Sequence, residues 1–218
     1  MDNPLDLYEP ISLAPGNTAL IVIDMQVDFC SPAGFAAGRG KKLTRIRNII
    51  GKLDIFARTL SDLGVFVVYT KFISGKGITP GNLARAVLSK KYVIPCARGS
   101  GGEDLYNIKV PTEAVVIEKP HYDSFAYTNV KQLLSERGIK NLLVTGLRTE
   151  LCVDATAKRA ATEGYDTFII SDLVATYDDK LKNHERVLDF FNTYYGFVIK
   201  SQDILDILEN KKTIKQIV

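Results

Sequence analysis

The feature that most constrains the fold is the alternation of short aliphatic runs with longer segments of helical periodicity. Continuous apolar runs of this length are typical of strands that are buried on both faces of a parallel sheet. Alternation of such strands with helices predicts a three-layer α/β/α sandwich around a doubly wound, mainly parallel six-stranded sheet, which is a Rossmann-like fold. The predicted strands cover residues 18–23, 65–70, 114–117, 141–144, 166–170 and 197–199.

The segments between the strands have the apolar spacing of helices, and several of them end at a glycine. One segment, 74–109, differs because it is irregular and rich in glycine, with a short helical piece at 82–88. A segment of that length inside a compact domain is typical of a lid or a substrate wall. No linker interrupts the pattern, so we expect a single domain over 1–218. The predicted helices cover residues 42–63, 128–137, 151–163, 180–195 and 201–209.

Composition excludes several classes of function. The net charge is +3 and no basic cluster is interleaved with aromatic residues, which argues against a nucleic-acid partner,. No apolar run reaches membrane-spanning length, so we expect no membrane partner,. The start at 1–6 is acidic and lacks the features of a signal peptide,. Three widely spaced cysteines also suit a reducing compartment, and we therefore expect a cytoplasmic protein,.

Three polar residues follow predicted strands and are the candidate catalytic groups. Asp24 follows the first strand, Lys119 the third, and Cys152 lies beyond the fourth after a glycine turn. The carboxyl ends of parallel strands share one edge of a sheet, so we expect the three side chains to converge. There a carboxylate can accept the thiol proton, and an ammonium group can stabilise the charges. Taken singly, each residue has a structural alternative: a turn cap, a partly buried lysine stem and a packed thiol.

The local sequence around Cys152 adds to the argument for a nucleophile. If Thr149 caps the following helix, Cys152 falls at the third helical position, where backbone N–H groups and the helix dipole favour the thiolate. Histidine is a weaker candidate for the base. We expect His184 to lie in a surface helix with a structural role, whereas a dyad of Cys152 with His121 stays open but is less favoured,.

Three ordered motifs give the chain a resemblance to the isochorismatase-like cysteine hydrolases. They read ALIVIDMQVDF at 19–29, KPHYDSF at 119–125 and GLRTELCVDAT at 146–156, and the resemblance extends over roughly 17–202. Within the last motif, TELCV at 149–153 looks more like the ureido- and carbamoyl-cleaving branches, such as N-carbamoylsarcosine amidase and ureidoacrylate amidohydrolase, than the nicotinamidases.

The resemblance implies an Asp–Lys–Cys triad. Cys152 would attack the carbonyl carbon, Asp24 would act as base and then acid, and Lys119 would give electrostatic support. It also implies a cis peptide between Leu147 and Arg148, with the backbone N–H groups of Arg148 and Cys152 forming the oxyanion hole. The same motifs supply the candidates for substrate contacts, which are Gln26, Phe29, Tyr122, Phe125 and Arg148.

The chain departs from the family pattern at two places. The nicotinamidase branch has an Asp-x-His metal pair after its second strand, but residues 70–76 contain no histidine. We therefore expect no metal and no cofactor. Arg148 occupies a position that is commonly small, and it would either bind a substrate carboxylate or tie loops together. The glycine-rich stretch at 97–103 lacks the Lys-Ser/Thr of a phosphate loop and is expected to be structural,.

The predicted function is hydrolysis of a C–N bond in a small amide or ureide through a covalent thioester on Cys152, without a metal. Two alternatives stay open: an isochorismatase-type vinyl ether hydrolase, and a catalytically silent binding module of the same fold. The resemblance also implies a homo-oligomer, either a dimer or a tetramer.

Overall fold

The computed structural model describes residues 10–209, and the acidic start used to predict the location lies outside them. The strands are β1 Thr18–Ile23, β2 Phe66–Phe72, β3 Val115–Lys119, β4 Asn141–Leu147, β5 Asp166–Ala175 and β6 Phe197–Ile199. They form one sheet in the order β3-β2-β1-β4-β5-β6, and every neighbouring pair is parallel. The predicted α/β fold with a six-stranded parallel sheet is therefore confirmed.

Helices cover both faces of this sheet. Buried residues of α3, such as Leu53, and of α8, such as Ile204, share one core cluster, whereas α5 and α6 contribute Val130 and Ala157 to the other. The helices are α1 Val27–Cys30, α2 Phe35–Gly38, α3 Thr44–Asp62, α4 Gly81–Leu88, α5 Val130–Glu136, α6 Asp154–Thr162, α7 Leu181–Tyr194 and α8 Ser201–Leu208. Short 3₁₀ turns occur at Pro15–Asn17 and Asp178–Lys180, and a π-helical turn covers Thr149–Val153.

The central strand β1 shows why an uninterrupted apolar run was needed. All six of its residues are buried, with Leu20 and Val22 in the cluster under α3 and Ile21 and Ile23 in the opposite cluster. Successive side chains of a strand point to opposite faces, so a strand covered by helices on both sides is apolar along nearly its whole length, here from Ala19 to Ile23,.

The sheet order places a topological switch point between β1 and β4. Chain order runs outward from β1 through β2 and β3, and then restarts on its other side with β4. Ligands of open α/β sheets bind in the crevice at the carboxyl ends of the strands flanking such a point. The loops after Ile23 and Leu147 are the two that leave the sheet there.

Several boundaries differ from the predictions. The second strand continues two residues further than predicted, to Phe72, and Lys119 is the last residue of β3 rather than part of the loop. The fourth strand continues through Gly146, which pairs with Ile23 instead of breaking the strand. Within residues 10–209, no helix combines the length and the apolarity needed to cross a membrane.

Candidate active site

Asp24 is the first residue after β1, and the adjoining strand β2 holds it in a left-handed conformation with φ +52°. Its backbone N–H donates to the Thr70 carbonyl at 3.2 Å, and the Thr70 hydroxyl donates to Asp24 Oδ1 at 2.8 Å. The Asp24 carbonyl in turn accepts the Gln26 N–H at 2.8 Å. Asp24 is 1% exposed, and these hydrogen bonds fix both its backbone and one oxygen of its carboxylate.

Lys119 brings a fully buried ammonium group to the other carboxylate oxygen. Its Nζ lies 2.8 Å from Asp24 Oδ2, and it donates to the carbonyls of His121 at 3.0 Å and Tyr122 at 3.1 Å. Burial by itself lowers the pKa of Lys119, but the Asp24 carboxylate and the Cys152 sulfur more than offset it, so the pKa lies above its ordinary value. The group is therefore a permanent cation at neutral pH.

Cys152 completes the cluster from the π-helical turn. Its thiol lies beside Asp24 and Lys119, close enough for both groups to act on its pKa, and the residue is only 6% exposed. Burial raises the pKa of Cys152 to about 12, with Lys119 lowering it and Asp24 raising it. The resting group is thus a neutral thiol beside a carboxylate, and the prediction of a thiolate was wrong.

That error has a geometric reason. The helical segment is capped by Arg148 rather than Thr149, and Cys152 lies in a π turn that precedes α6. The Thr149 hydroxyl instead forms a 2.8 Å hydrogen bond with His184 Nδ1. His184 lies in α7, a helix with most of its residues at the surface as expected, but the His184 side chain itself is on the buried face.

The turn that carries Cys152 depends on Gly146. Its φ is +101°, and an added Cβ would lie 2.2 Å from the Ile23 carbonyl oxygen. The peptide between Leu147 and Arg148 is cis, at the position that the resemblance implies. Close approach of β4 to β1 therefore brings the Cys152 turn against Asp24.

The Arg148 side chain ties loops together, which is the second of the two alternatives. Its Nε and Nη2 donate to Glu150 Oε1 at 3.0 and 2.8 Å, and its guanidinium carbon lies 4.5 Å from the centre of the Tyr177 ring. With its charge paired and one face covered, Arg148 is not arranged as a free receptor for a carboxylate.

Gln26 is not a substrate contact in this structure, contrary to the prediction. It is fully buried, and its Nε2 donates to the carbonyls of Phe72 at 2.9 Å and Glu103 at 2.8 Å. Its Oε1 accepts the Phe72 N–H at 2.8 Å. The side chain therefore joins the β1 exit to β2 and to the segment 74–109, and it acts on the site only through these elements.

The aromatic candidates lie around the cluster. Tyr122 is half-buried, burial is the main cause of its raised pKa, and its ring stacks on that of Phe72 with 6.1 Å between centroids. Phe29 packs beside Tyr122 against buried Phe72, and Phe125 is buried in the same core cluster as Cys152. Tyr122 is the one of these that contacts the charged groups directly, because its carbonyl accepts from Lys119.

His121 contributes its carbonyl rather than its ring. The ring packs 5.4 Å from Tyr122 and 6.4 Å from Tyr127, measured between centroids, and its buried Nδ1 has no hydrogen-bond partner within residues 10–209. Burial lowers the pKa of His121, with a raising effect from Asp123 and a further lowering effect from Lys119. Nothing in this arrangement favours His121 over Asp24 as the base.

The segment 74–109 forms a wall rather than a detached lid. Its carbonyls at Gly102 and Asp104 accept the N–H groups of Asp28 and Val27, and Gln26 pairs with Leu105 in an antiparallel bridge. The glycine-rich part is structural, since the Glu103 carboxylate accepts the Gly99 N–H and the Ser100 hydroxyl,. That carboxylate occupies the donors that a phosphate would need.

The end of β2 and the residues after it do not fit a metal ion. Phe72 and Ile73 are buried and apolar, and the Ser74 hydroxyl donates to the Pro95 carbonyl at 2.8 Å. Across residues 10–209, no three His, Cys, Asp or Glu side chains are grouped closely enough to hold a metal. Nitrogen or carboxylate ligands are what a divalent ion would require here.

Thr70 is the residue of the site that sequence reasoning missed. It is polar and ends an apolar run, which is the same signal that identified Asp24. Because it lies within β2 rather than after it, the signal was weaker.

Comparison with known proteins supports the resemblance. The family model described as Isochorismatase domain matches residues 18–203. The ureidoacrylate amidohydrolase RutB of Acinetobacter baylyi is 25% identical over 226 residues, covering 94% of this chain and 89% of that protein. A cysteine hydrolase from Pseudomonas syringae pv. phaseolicola has the same fold, with a TM-score of 0.82, 21% identity and coverage of 97% of this chain and 100% of the other.

A third similar protein is the nicotinamidase PncA from Bacillus subtilis. It is 25% identical, with a TM-score of 0.70 and coverage of 84% of this chain and 99% of the other. The family match spans most of the chain, including both strands that flank the switch point. The protein therefore belongs to the isochorismatase family of hydrolases.

Proposed function

We propose that this protein is a metal-independent cysteine hydrolase that cleaves a C–N bond of a small amide or of a ureido or carbamoyl compound, acting as a single domain. The observation that carries the proposal is a buried thiol that lies beside a carboxylate, which is itself paired with a buried ammonium at 2.8 Å. The names of the amidohydrolase and nicotinamidase relatives support the choice of bond.

In the first half of the reaction, Cys152 Sγ forms a bond to the substrate carbonyl carbon. The thiol proton passes to Asp24 Oδ2, and the carbonyl electron pair moves to its oxygen, where the N–H groups of Arg148 and Cys152 would stabilise the charge. A neutral resting thiol requires such a base, because a pKa raised to about 12 leaves little thiolate at neutral pH,. The C–N bond then breaks, and the leaving nitrogen takes the proton from Asp24.

In the second half, water attacks the acyl or carbamoyl thioester. Asp24 accepts a proton from the water, the S–C bond breaks, and the sulfur regains its proton. Throughout, the Lys119 ammonium stabilises the carboxylate without giving up a proton, because its raised pKa and its contacts with the His121 and Tyr122 carbonyls keep it charged,.

The proposal is tested by ammonia release from a panel of primary amides and ureides that includes ureidoacrylate, measured for the wild type and for Asp24→Asn. We expect at least one compound to be turned over and Asp24→Asn to lower kcat by about 10²-fold or more. A substrate of the panel should also protect Cys152 from iodoacetamide. Absence of turnover on the whole panel would leave the silent binding module as the better account, and cleavage of a vinyl ether alone would favour the isochorismatase activity.

We also propose that the protein is a cytoplasmic homo-oligomer, a dimer or a tetramer, as the family resemblance implies. Light scattering of the purified protein tests the oligomeric state, and a monomeric mass at working concentration would contradict it.

A further inference from the structure

Thr70 forms two hydrogen bonds with Asp24. Its hydroxyl donates to Asp24 Oδ1 at 2.8 Å, and its carbonyl accepts the Asp24 N–H at 3.2 Å. Both residues are buried, and Thr70 pairs in register with Ile23, the residue before Asp24. The hydroxyl therefore sets the rotation of a carboxylate whose backbone is already fixed.

The two oxygens of Asp24 consequently have different roles. Oδ1 is occupied by the Thr70 hydroxyl, whereas Oδ2 forms an ion pair with Lys119. In the part of the chain that the structure describes, Oδ2 has no aligned hydrogen-bond donor, and the Cys152 side chain lies beside the carboxylate. A carboxylate oxygen in that state is free to accept a proton, provided that it is turned toward the sulfur.

We propose that Thr70 is a positioning residue of the hydrolase, and that its hydroxyl holds the Asp24 carboxylate so that Oδ2 receives the Cys152 proton. The inference rests on the proposed function, since it assumes that Asp24 is the base. Loss of the hydroxyl leaves Oδ1 without its donor and allows the carboxylate to rotate away from the thiol. Thr70 acts only through Asp24 and does not contact the reacting atoms.

Strand β4, which pairs with β1 on the side opposite β2, provides a matched control. Thr145 in β4 is also fully buried, and its hydroxyl donates to the Ile21 carbonyl at 3.1 Å. Thr145→Val therefore removes a buried threonine hydrogen bond of similar length without touching Asp24.

The experiment measures the second-order rate of alkylation of Cys152 by iodoacetamide at neutral pH, with the modified cysteine identified by peptide mass. This readout needs no known substrate. We expect Thr70→Val to slow alkylation about tenfold or more, as for loss of a hydrogen bond to a charged group. Thr70→Ser, which keeps the hydroxyl, should return the rate to within about threefold of the wild type, and Thr145→Val should leave it unchanged. With a substrate from the amide panel, Thr70→Val should lower kcat and leave KM within about twofold, because Thr70 acts on the base and not on binding.

A wild-type alkylation rate in Thr70→Val would overturn the proposal, as would failure of Thr70→Ser to restore it or an equal loss in Thr145→Val. If Thr70→Val does not fold, as judged by circular dichroism, Thr70→Ala is read in the same way. The test is separate from that of the proposed function: Asp24→Asn that alkylates Cys152 at the wild-type rate refutes Asp24 as the base, whatever the Thr70 variants do.

Discussion

Replacement of Lys119 by methionine is the change whose effect can be worked out most fully from the structure. The side chain is completely buried, and Met keeps most of its length without the charge. The change leaves the Asp24 carboxylate buried with no cation 2.8 Å away, and it removes the donor from the carbonyls of His121 and Tyr122. Breaking a buried pair from one side costs about 3–5 kcal/mol, and an orphaned buried carbonyl adds to the cost. We expect Lys119→Met to lower the free energy of unfolding by at least about 3 kcal/mol and Tm by roughly 6–12 °C.

The assay is urea or thermal unfolding at neutral pH. A double variant shows whether the unpaired Asp24 charge causes the loss of stability. In Lys119→Met/Asp24→Asn, the uncompensated charge is removed, so the double variant should be more stable than Lys119→Met by about 1–3 kcal/mol. Lys71→Met is the control, because its ion pair with Asp104, at 3.2 Å, is partly exposed and should contribute less than about 1 kcal/mol,. If Lys119→Met is within about 1 kcal/mol of the wild type, the account of a buried, mutually dependent pair is refuted.

Three further predictions concern the surroundings of the site. Gly146→Ala should prevent accumulation of folded protein in a solubility and circular dichroism assay, since its Cβ would lie 2.2 Å from the Ile23 carbonyl oxygen at φ +101°. Gly51→Ala is the control and should fold normally, because a Cβ added there meets no atom within 4 Å beyond its own helix backbone. The free energy of unfolding should fall as pH rises above about 9, because folding raises the pKa of Cys152 from 9.0 to about 12 and the unfolded chain therefore loses this proton first,. Cys152→Ser should reduce the slope of unfolding free energy against pH by up to about 1.4 kcal/mol per pH unit, measured by urea unfolding between pH 9 and 11. Gln26→Leu should lower the unfolding free energy by about 2–4 kcal/mol through loss of its three buried hydrogen bonds to backbone groups, and an unchanged midpoint would show that these bonds contribute nothing,.

Residues whose partners are set by the sheet were predictable from the sequence. A run such as 19–23 is apolar at every position because helices cover both faces, so the parallel sheet followed from the pattern alone,. Once the strands are parallel, their carboxyl ends share one edge, and the meeting of Asp24, Lys119 and Cys152 follows,.

Other features depend on contacts that are distant in sequence. Thr149 has the composition of a cap, but its hydroxyl bonds with His184, 35 residues away. Gln26 was expected to face a substrate, but its amide bonds with Phe72 and Glu103, which are 46 and 77 residues away. Rules for capping and exposure that use only nearby residues cannot identify partners so distant in sequence.

The protonation state of Cys152 could not be predicted for a related reason. A helix start beside a cation favours the thiolate, and both effects are readable in the sequence. Burial is the larger effect in the structure, and it results from packing of the turn under several elements. The consequence is chemical: the nucleophile depends on its base, which makes the position of the Asp24 carboxylate decisive.

The most direct test of the central claim is the turnover number of Cys152→Ala, measured by ammonia release beside Cys30→Ala, which removes an equally buried thiol outside the cluster. The account predicts that Cys152→Ala folds and loses activity by at least about 10³-fold, because the variant lacks the sulfur on which the thioester forms, whereas Cys30→Ala retains turnover. A folded Cys152→Ala protein that turns over substrate at the wild-type rate would contradict the account.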